Sequence, residues 1–483
     1  MSTTRYTCKA VVVGTGAGGA VAGAMLAEAG VDTILVEQGK HWKTEDHDDI
    51  LGGFSRMYLN GGITFAMGNP PISIPQGVAV GGTTIINSST CFRPPSEKVT
   101  AWGGPTWDEL VPCFEEVERR INVHVIEEEL LGGNGRVMKR GCDALGIEIR
   151  PLAHSVKECK ARGRCQYGCQ QGAKQSMDLT FVPSAVSAGA RLLPSHRVDN
   201  VLTQNGKAVG VTGVAAGGPF EIQAEVVVLA LGTLSGPAFL LRRKLANSSG
   251  RVGLGLTIHP AARVVAEFDE IIDGFIGLPQ GAYIDRWADR GVMLEGVFMP
   301  PGLLMASMPG AGSEYKEIAA AYRRLSAFGI MVADSATGRV TRGHFGNPFT
   351  VFYQLSQADA ESMRFGIARL AEIYFAAGAK RVFTNVLPMP CLRNRDALQR
   401  FETLPVKPSH LEMMAFHPLG TCAMGGDPKT SVVNFDLETH DVRNLYLMDG
   451  SVIPTSLGVN PQITIMTVVM RAAKRLAQTL QPK

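Results

Sequence analysis

The sequence predicts an α/β protein, α+β overall, in which a discontinuous Rossmann-like nucleotide-binding unit is joined to a lobe built on an antiparallel sheet; three observations carry that expectation. The apolar run Val11-Val12-Val13 enters a glycine turn, Gly14-Thr15-Gly16-Ala17-Gly18-Gly19, and then an alanine-rich helical stretch from Ala20 to Ala29. Between Val201 and Ala230 lie short strand-like segments that end in the apolar run Val226-Val227-Val228-Leu229. Residues 261–407 then alternate strand-like with helical segments.

In the first unit, Gly14 permits a tight turn, Gly16 lets a pyrophosphate approach the backbone, and Gly19 allows close helix packing, while the helix N-terminus offers free N–H groups to phosphate. The next strand, Thr33-Ile34-Leu35-Val36, ends at Glu37, about twenty residues on, where a carboxylate accepts hydrogen bonds from a ribose hydroxyl and disfavours a 2'-phosphate. Strand, turn, helix, strand and acid in register point to a bound dinucleotide, and leave FAD and NAD unseparated. The nucleotide-binding domain is expected from residues 1–100, 190–260 and 408–483. Residues 101–189 carry the helical stretch Trp107–Arg120 and a cysteine loop. The lobe at 261–407 combines strands at Ala262–Phe268, Val292–Phe298 and Phe349–Leu355 with helices at Glu314–Ser326 and Asp359–Ala377, which suits an antiparallel layer covered on one side.

Composition bounds the function classes. At 483 residues, 45% hydrophobic and 19% charged, the chain is a globular protein of two connected lobes, and disordered and fibrous classes are excluded. A net charge of +3, from 47 basic and 44 acidic residues, argues against a nucleic-acid partner. The absence of a long apolar run, and the short stretch before Lys9, lead us to expect a cytoplasmic enzyme or one that touches the inner membrane face only peripherally. The nine cysteines, without an export signal, argue against a disulfide framework.

Further motifs appear in a fixed order. Gly81-Gly82-Thr83-Thr84-Ile85-Ile86-Asn87 comes first; Leu231-Gly232-Thr233-Leu234-Ser235-Gly236-Pro237 and Val252-Gly253 with Ile258-His259-Pro260 follow. Phe416-His417-Pro418-Leu419-Gly420-Thr421-Cys422-Ala423-Met424-Gly425, Leu447-Met448-Asp449-Gly450-Ser451 and Val459-Asn460-Pro461-Gln462-Ile463-Thr464 close the series. Together these segments resemble the signatures of the glucose-methanol-choline (GMC) oxidoreductases, and the resemblance spans the whole chain. It implies FAD, oxidation of an alcohol by hydride transfer to flavin N5, and the fold of that family. His417 matches the catalytic base, for which a neutral imidazole is suited. Asn460 matches the second catalytic position, where an amide holds the substrate oxygen without taking its proton. The resemblance also assigns Gly81, Gly82, Thr83, Asn87, Val198, Asp449, Gly450, Pro461 and Ile463 to the cofactor, beside Gly14, Gly16, Gly19 and Glu37. Pro461 suits the first turn of a helix whose N-terminus would favour an anionic reduced flavin. Ile86 stands where some relatives attach FAD through a His, so dissociable FAD is expected. His259 is read as structural and Cys422 as packing.

Cys159, Cys165 and Cys169 fall in one loop, and thiolates so close repel unless neutral, separated or bound to a soft metal. Their spacing is similar to that of the iron–sulfur segment in sugar dehydrogenases of the family and of bacterial sterol and long-chain alcohol enzymes, although Arg162 replaces one cysteine of the latter pattern. It implies a 3Fe-4S cluster passing electrons to a quinone or protein acceptor, with a small companion subunit as a further partner. Unligated buried thiols, and zinc with His154 as fourth ligand, are the alternatives. Empty cysteines would point instead to an oxygen-reducing oxidase. The apolar segment Phe298-Met299-Pro300-Pro301-Gly302-Leu303-Leu304-Met305 is core, or else the wall of a pocket for a hydrophobic or cyclic alcohol. A sugar or polyol substrate and a non-redox lyase of the same fold complete the readings.

Overall fold

In the computed structural model, which describes residues 2–47, 49–334, 338–344 and 346–481, the strand Thr4–Val13 is exposed at its start and buried over its last four residues. Those four are apolar because parallel strands flank them on both edges, Thr33–Val36 on one and Gly218–Leu229 on the other. The seven-stranded sheet they belong to continues through Arg191–Leu193 at one end and through Lys207–Ala215 and His196–Gln204 at the other, with Leu445–Leu447 added in parallel. The strands between 196 and 229 run nine, nine and twelve residues, longer than the short segments expected, because they form an antiparallel meander closed by tight turns. The helix Ala17–Glu28 packs against Gln462–Leu480, which runs from the last motif to the end of the described chain.

A second seven-stranded sheet is antiparallel throughout, in the spatial order 391–392, 381–383, 261–267, 325–332, 292–296, 282–284 and 150–151. The long helix Gln357–Ala376 lies across one face of it, capped by the Ser356 hydroxyl and buried along one side from Ala360 to Tyr374. A five-stranded sheet draws Leu254–Leu256, Gly338–Arg342 and Phe349–Phe352 together with Phe65–Met67 and Ile72–Ser73. No helix among the described residues is long and apolar enough to cross a membrane.

The helix expected over Glu314–Ser326 ends earlier. Gly312–Ala320 is helical, but Leu325–Val332 is a buried central strand of the antiparallel sheet. Its sequence, Leu-Ser-Ala-Phe-Gly-Ile-Met-Val, is buried on both faces, so no alternation separates it from the helical pattern before it.

Candidate active site

A cavity of about 670 Å³ opens between the nucleotide-binding sheet and the free face of the antiparallel sheet. At one end stands the glycine turn. Gly14 has φ +101°, and a Cβ there would lie 2.2 Å from the Ala230 oxygen. Gly18 is tighter still, with the Met448 carbonyl oxygen 1.9 Å from the position its Cβ would take. Gly16 faces Gly82, whose own Cβ would reach within 2.7 Å of the Gly16 Cα, so two glycine backbones meet where a phosphate needs them bare. Glu37 is buried; Oε2 accepts from the Thr15 N–H and hydroxyl at 3.0 and 2.9 Å, and Oε1 from Gly39 N–H at 2.9 Å. The Gln38 N–H also bears on this carboxylate, which lines the cavity where a ribose hydroxyl would lie. Burial pushes the Glu37 pKa up while these donors hold it down.

Of the residues assigned to the cofactor, Gly14, Gly16, Glu37, Gly82, Thr83, Asn87, Val198, Asp449, Gly450 and Pro461 line this cavity. Gly19, Gly81 and Ile463 stand outside the lining. A Cβ on Gly19 would meet the Gly14 oxygen at 2.0 Å, so that glycine serves helix–strand packing. Gly81, at φ +98°, donates its N–H to Thr15 Oγ1 at 3.1 Å and so couples the two glycine turns. Ile463 is buried in the core behind the helix start. Asp449 is pinned by the N–H groups of Gly232 and Ser451, each at 2.8 Å. A bare glycine cradle, an acid lining the cavity and a helix N-terminus fit FAD.

His417 and Asn460 come together at the other end. Asn460 Nδ2 lies 3.3 Å from His417 Nε2, so that nitrogen is the acceptor and the ring proton sits on Nδ1, the tautomer set by this hydrogen-bond network. Burial lowers the His417 pKa well below its ordinary value, with His259 adding to the effect, and the imidazole is neutral at physiological pH. His259 is structural, as expected: its Nε2 accepts the Leu457 and Gly458 N–H groups at 2.9 and 3.1 Å, and so fixes the loop that delivers Asn460. Its ring packs edge-on to His417 at 5.3 Å. Cys422 is buried packing.

One group escaped the sequence reading. Glu295, from the strand Val292–Gly296, lines the cavity, and its Oε2 accepts from Asn460 Nδ2 at 3.5 Å and from Gln280 Nε2 at 3.1 Å. Thr90 donates its hydroxyl to Gln280 at 2.9 Å, Gln462 donates to the Thr90 carbonyl at 3.2 Å, and Asn87 donates to Gln462 at 2.7 Å. A side-chain network thus joins His417 to the loop at Asn87. Glu295 Oε1, Asn460 Oδ1 and His417 Nδ1 are buried without partners among the described residues. Burial raises the Glu295 pKa to about 7, and the Asn460 amide opposes the rise. The signal in the sequence was a lone acid inside the apolar run Val292-Met-Leu-Glu-Gly-Val-Phe298.

An iron–sulfur cluster on Cys159, Cys165 and Cys169 is not supported by the arrangement of their side chains. Among the described residues, no group of three His, Cys, Asp or Glu side chains is arranged to hold a metal ion. The loop is organised by Lys174, whose buried ammonium donates to the carbonyl oxygens of Ile85, Asn87 and Cys165, the last two at 3.0 and 2.7 Å. Burial pushes the Cys165 thiol up to about 11 and raises that of Cys159. His154 is likewise committed elsewhere: Nε2 meets the Gln280 carbonyl at 2.7 Å, and Nδ1 lies 3.2 Å from the Ser88 carbonyl.

Two family models, both described as GMC oxidoreductase, match residues 54–261 and 334–468. The chain is 32% identical over 480 residues to an uncharacterized GMC-type oxidoreductase of Mycobacterium tuberculosis, covering 96% of this chain and 75% of the relative. A long-chain-alcohol oxidase of Arabidopsis thaliana is 25% identical over 523 residues, which cover 99% of this chain and 68% of that one. Among solved structures, a formate oxidase of Aspergillus oryzae superposes with a TM-score of 0.76 at 17% identity, covering 99% of each chain. With its glycine cradle, buried acid and His–Asn pair in one cavity, and with relatives matching nearly end to end, this chain belongs to the GMC oxidoreductase family.

Proposed function

We propose that the protein oxidises an alcohol to the corresponding carbonyl with FAD as the bound cofactor, His417 as base and Asn460 as the group that holds the substrate oxygen. The observation that carries this reading is the 3.3 Å pairing of Asn460 Nδ2 with an unprotonated His417 Nε2 in the same cavity as the glycine cradle. Gly14, Gly16, Glu37, Thr83, Asn87, Asp449 and Gly450 would hold FAD, which supplies hydride acceptance when bound. An alcohol oxygen entering between the pair donates its proton to Nε2 and accepts from the Asn460 amide. As the proton arrives, His417 gains a positive charge that its buried setting opposes, and ionised Glu295, one amide away, compensates it.

Dioxygen is the acceptor we assign, with hydrogen peroxide as the product that takes up two electrons and two protons per alcohol oxidised. The long-chain-alcohol oxidase among the relatives supports this choice over a quinone or protein acceptor. Anaerobic titration of the FAD-loaded protein with alcohols is expected to bleach the flavin band, and readmitting air to restore it with one peroxide per alcohol. Flavin that no alcohol bleaches sinks the alcohol reading. Re-oxidation by a quinone dye but not by air sinks oxygen as acceptor. Replacing His417 by Ala should lower the bleaching rate by roughly 10²–10⁴ while the flavin stays bound.

A further inference from the structure

The cavity floor carries a second charged side chain in register with Glu295. On the antiparallel sheet, Glu295 lies directly opposite Gly329, and Gly329 directly opposite Arg263. Directly paired residues point to the same face, so Glu295, Gly329 and Arg263 form one transverse row, and all three line the cavity. The middle member has no side chain. A Cβ built on it would find its nearest neighbours at 3.4 to 3.5 Å, so the floor between the two charged residues is low because of the glycine and not because something else fills it. Two strand spacings separate the ends of the row, roughly 10 Å.

Arg263 is 4% exposed. Its Nη2 donates to the Ser307 carbonyl at 3.2 Å and to Glu412 Oε1 at 3.1 Å, and Glu412, itself half exposed, also accepts from Asn385 at 3.2 Å. Nε of Arg263 is buried with no partner among the described residues. A guanidinium has five N–H donors in a planar fork, and a buried donor left without an acceptor is costly. Glu412 already pairs the charge, so what an acceptor arriving with the substrate would supply, in the wall of a cavity that also holds Met331 and Ala261, is the missing partner of Nε.

We propose that the substrate is an alcohol bearing a carboxylate at its far end, an ω-hydroxy acid of medium length, with the hydroxyl at His417 and Asn460, the chain over Gly329 and the carboxylate on Arg263. This rests on the alcohol-oxidising reading and narrows its substrate class from a plain hydrophobic alcohol. Arg263 is a specificity residue and takes no part in the chemistry. The carboxylate displaces no existing contact of Nε, and the apolar wall accommodates the methylene chain.

The test compares ω-hydroxy fatty acids of increasing length with the plain primary alcohols of the same length, as substrates of the FAD-loaded enzyme. The hydroxy acid whose length matches the row is expected to have a KM about tenfold or more below that of its alcohol, the size of one charge-assisted hydrogen bond. In Arg263→Met the ratio of the two KM values should collapse toward one, and Arg263→Lys should recover part of it. Should Arg263→Met fail to fold, Gly329→Val raises the floor at a site with room for a Cβ, and is expected to raise KM for hydroxy acids that must cross it. The unreactive fatty acid of matching length should perturb the flavin spectrum of the wild type and not that of Arg263→Met. If plain alcohols bind as well as hydroxy acids in the wild type, or the ratio survives in Arg263→Met, the proposal is overturned while alcohol oxidation stands. If nothing bleaches the flavin but the fatty acid still binds through Arg263, alcohol oxidation fails and the carboxylate site stands.

Discussion

A buried carboxyl with one oxygen lacking a partner lowers the stability of a fold, and Glu295 does so in a direction that can be worked out. Its pKa in the folded protein, raised to about 7, exceeds that of the unfolded chain, so the folded state keeps the proton longer. Above the ordinary carboxylate range the unfolded state therefore ionises first, and the contribution of this group to stability falls as pH rises toward and past 7. Glu295→Gln removes the charge and retains the size. The variant should melt higher than wild type at about pH 8 and no higher at about pH 5, a difference that scanning calorimetry at the two values would read. Activity should move the other way. Only the ionised carboxylate offsets the charge that His417 acquires, so the wild-type rate is expected to rise through a pH near 7, and the rate of Glu295→Gln to be lower with that limb gone. A pH–rate profile that is identical in the two proteins would exclude this role. Gain of stability with loss of rate is the expected trade at a site built for chemistry.

Among the elements, the glycine turn and the helix after it, Ala17–Glu28, do the most with the fewest atoms. Gly18→Ala would place a methyl 1.9 Å from the Met448 oxygen, a backbone atom that cannot move aside. The expected result is protein purified without flavin and destabilised by at least about 1–3 kcal/mol, checked by absorbance and by urea denaturation. Flavin content equal to wild type would mean that the turn relaxes. This turn was legible in the sequence because its glycines answer to local geometry: a positive φ and a close approach can be satisfied by no other residue. The helical stretch Trp107–Arg120 was equally legible, and in the structure Thr106 caps it with Glu109 reciprocating. The strand Leu325–Val332 was not, since burial on both faces erases the period that distinguishes a strand from a buried helix. Nor was the row of Glu295, Gly329 and Arg263, whose members come from three strands and meet only through pairing register. How the cysteine loop is held was not legible for a related reason. Spacing along the chain constrains a metal site, but the conformation of the loop is set from outside it, by the Lys174 ammonium that ties Cys165 to Ile85 and Asn87.

On the scale of the whole molecule, the cavity is bounded by parts of two different sheets. One wall is the glycine turn and Glu37 of the nucleotide-binding sheet, the other the Arg263, Gly329 and Glu295 face of the antiparallel sheet, and His417 and Asn460 arrive on loops between them. A ligand that fills such a space is bound by the folded chain and not by the unfolded one, because the cradle, the acid and the helix end are brought together only by folding. FAD should therefore act as a structural link between the sheets as well as an electron acceptor. With no covalent attachment at Ile86, it is expected to be removable by dialysis against a chaotropic salt, leaving a protein that melts lower than the holoenzyme. Adding FAD back should raise the melting temperature progressively, by the equivalent of about 4 kcal/mol when the free concentration is about a thousand times Kd. Both sheets should gain protection together, so hydrogen exchange in 261–267 and 325–332 should slow along with that in 4–13. Slowing confined to the nucleotide-binding sheet would mean that the antiparallel lobe holds its shape without the cofactor, and that its charged row is preformed.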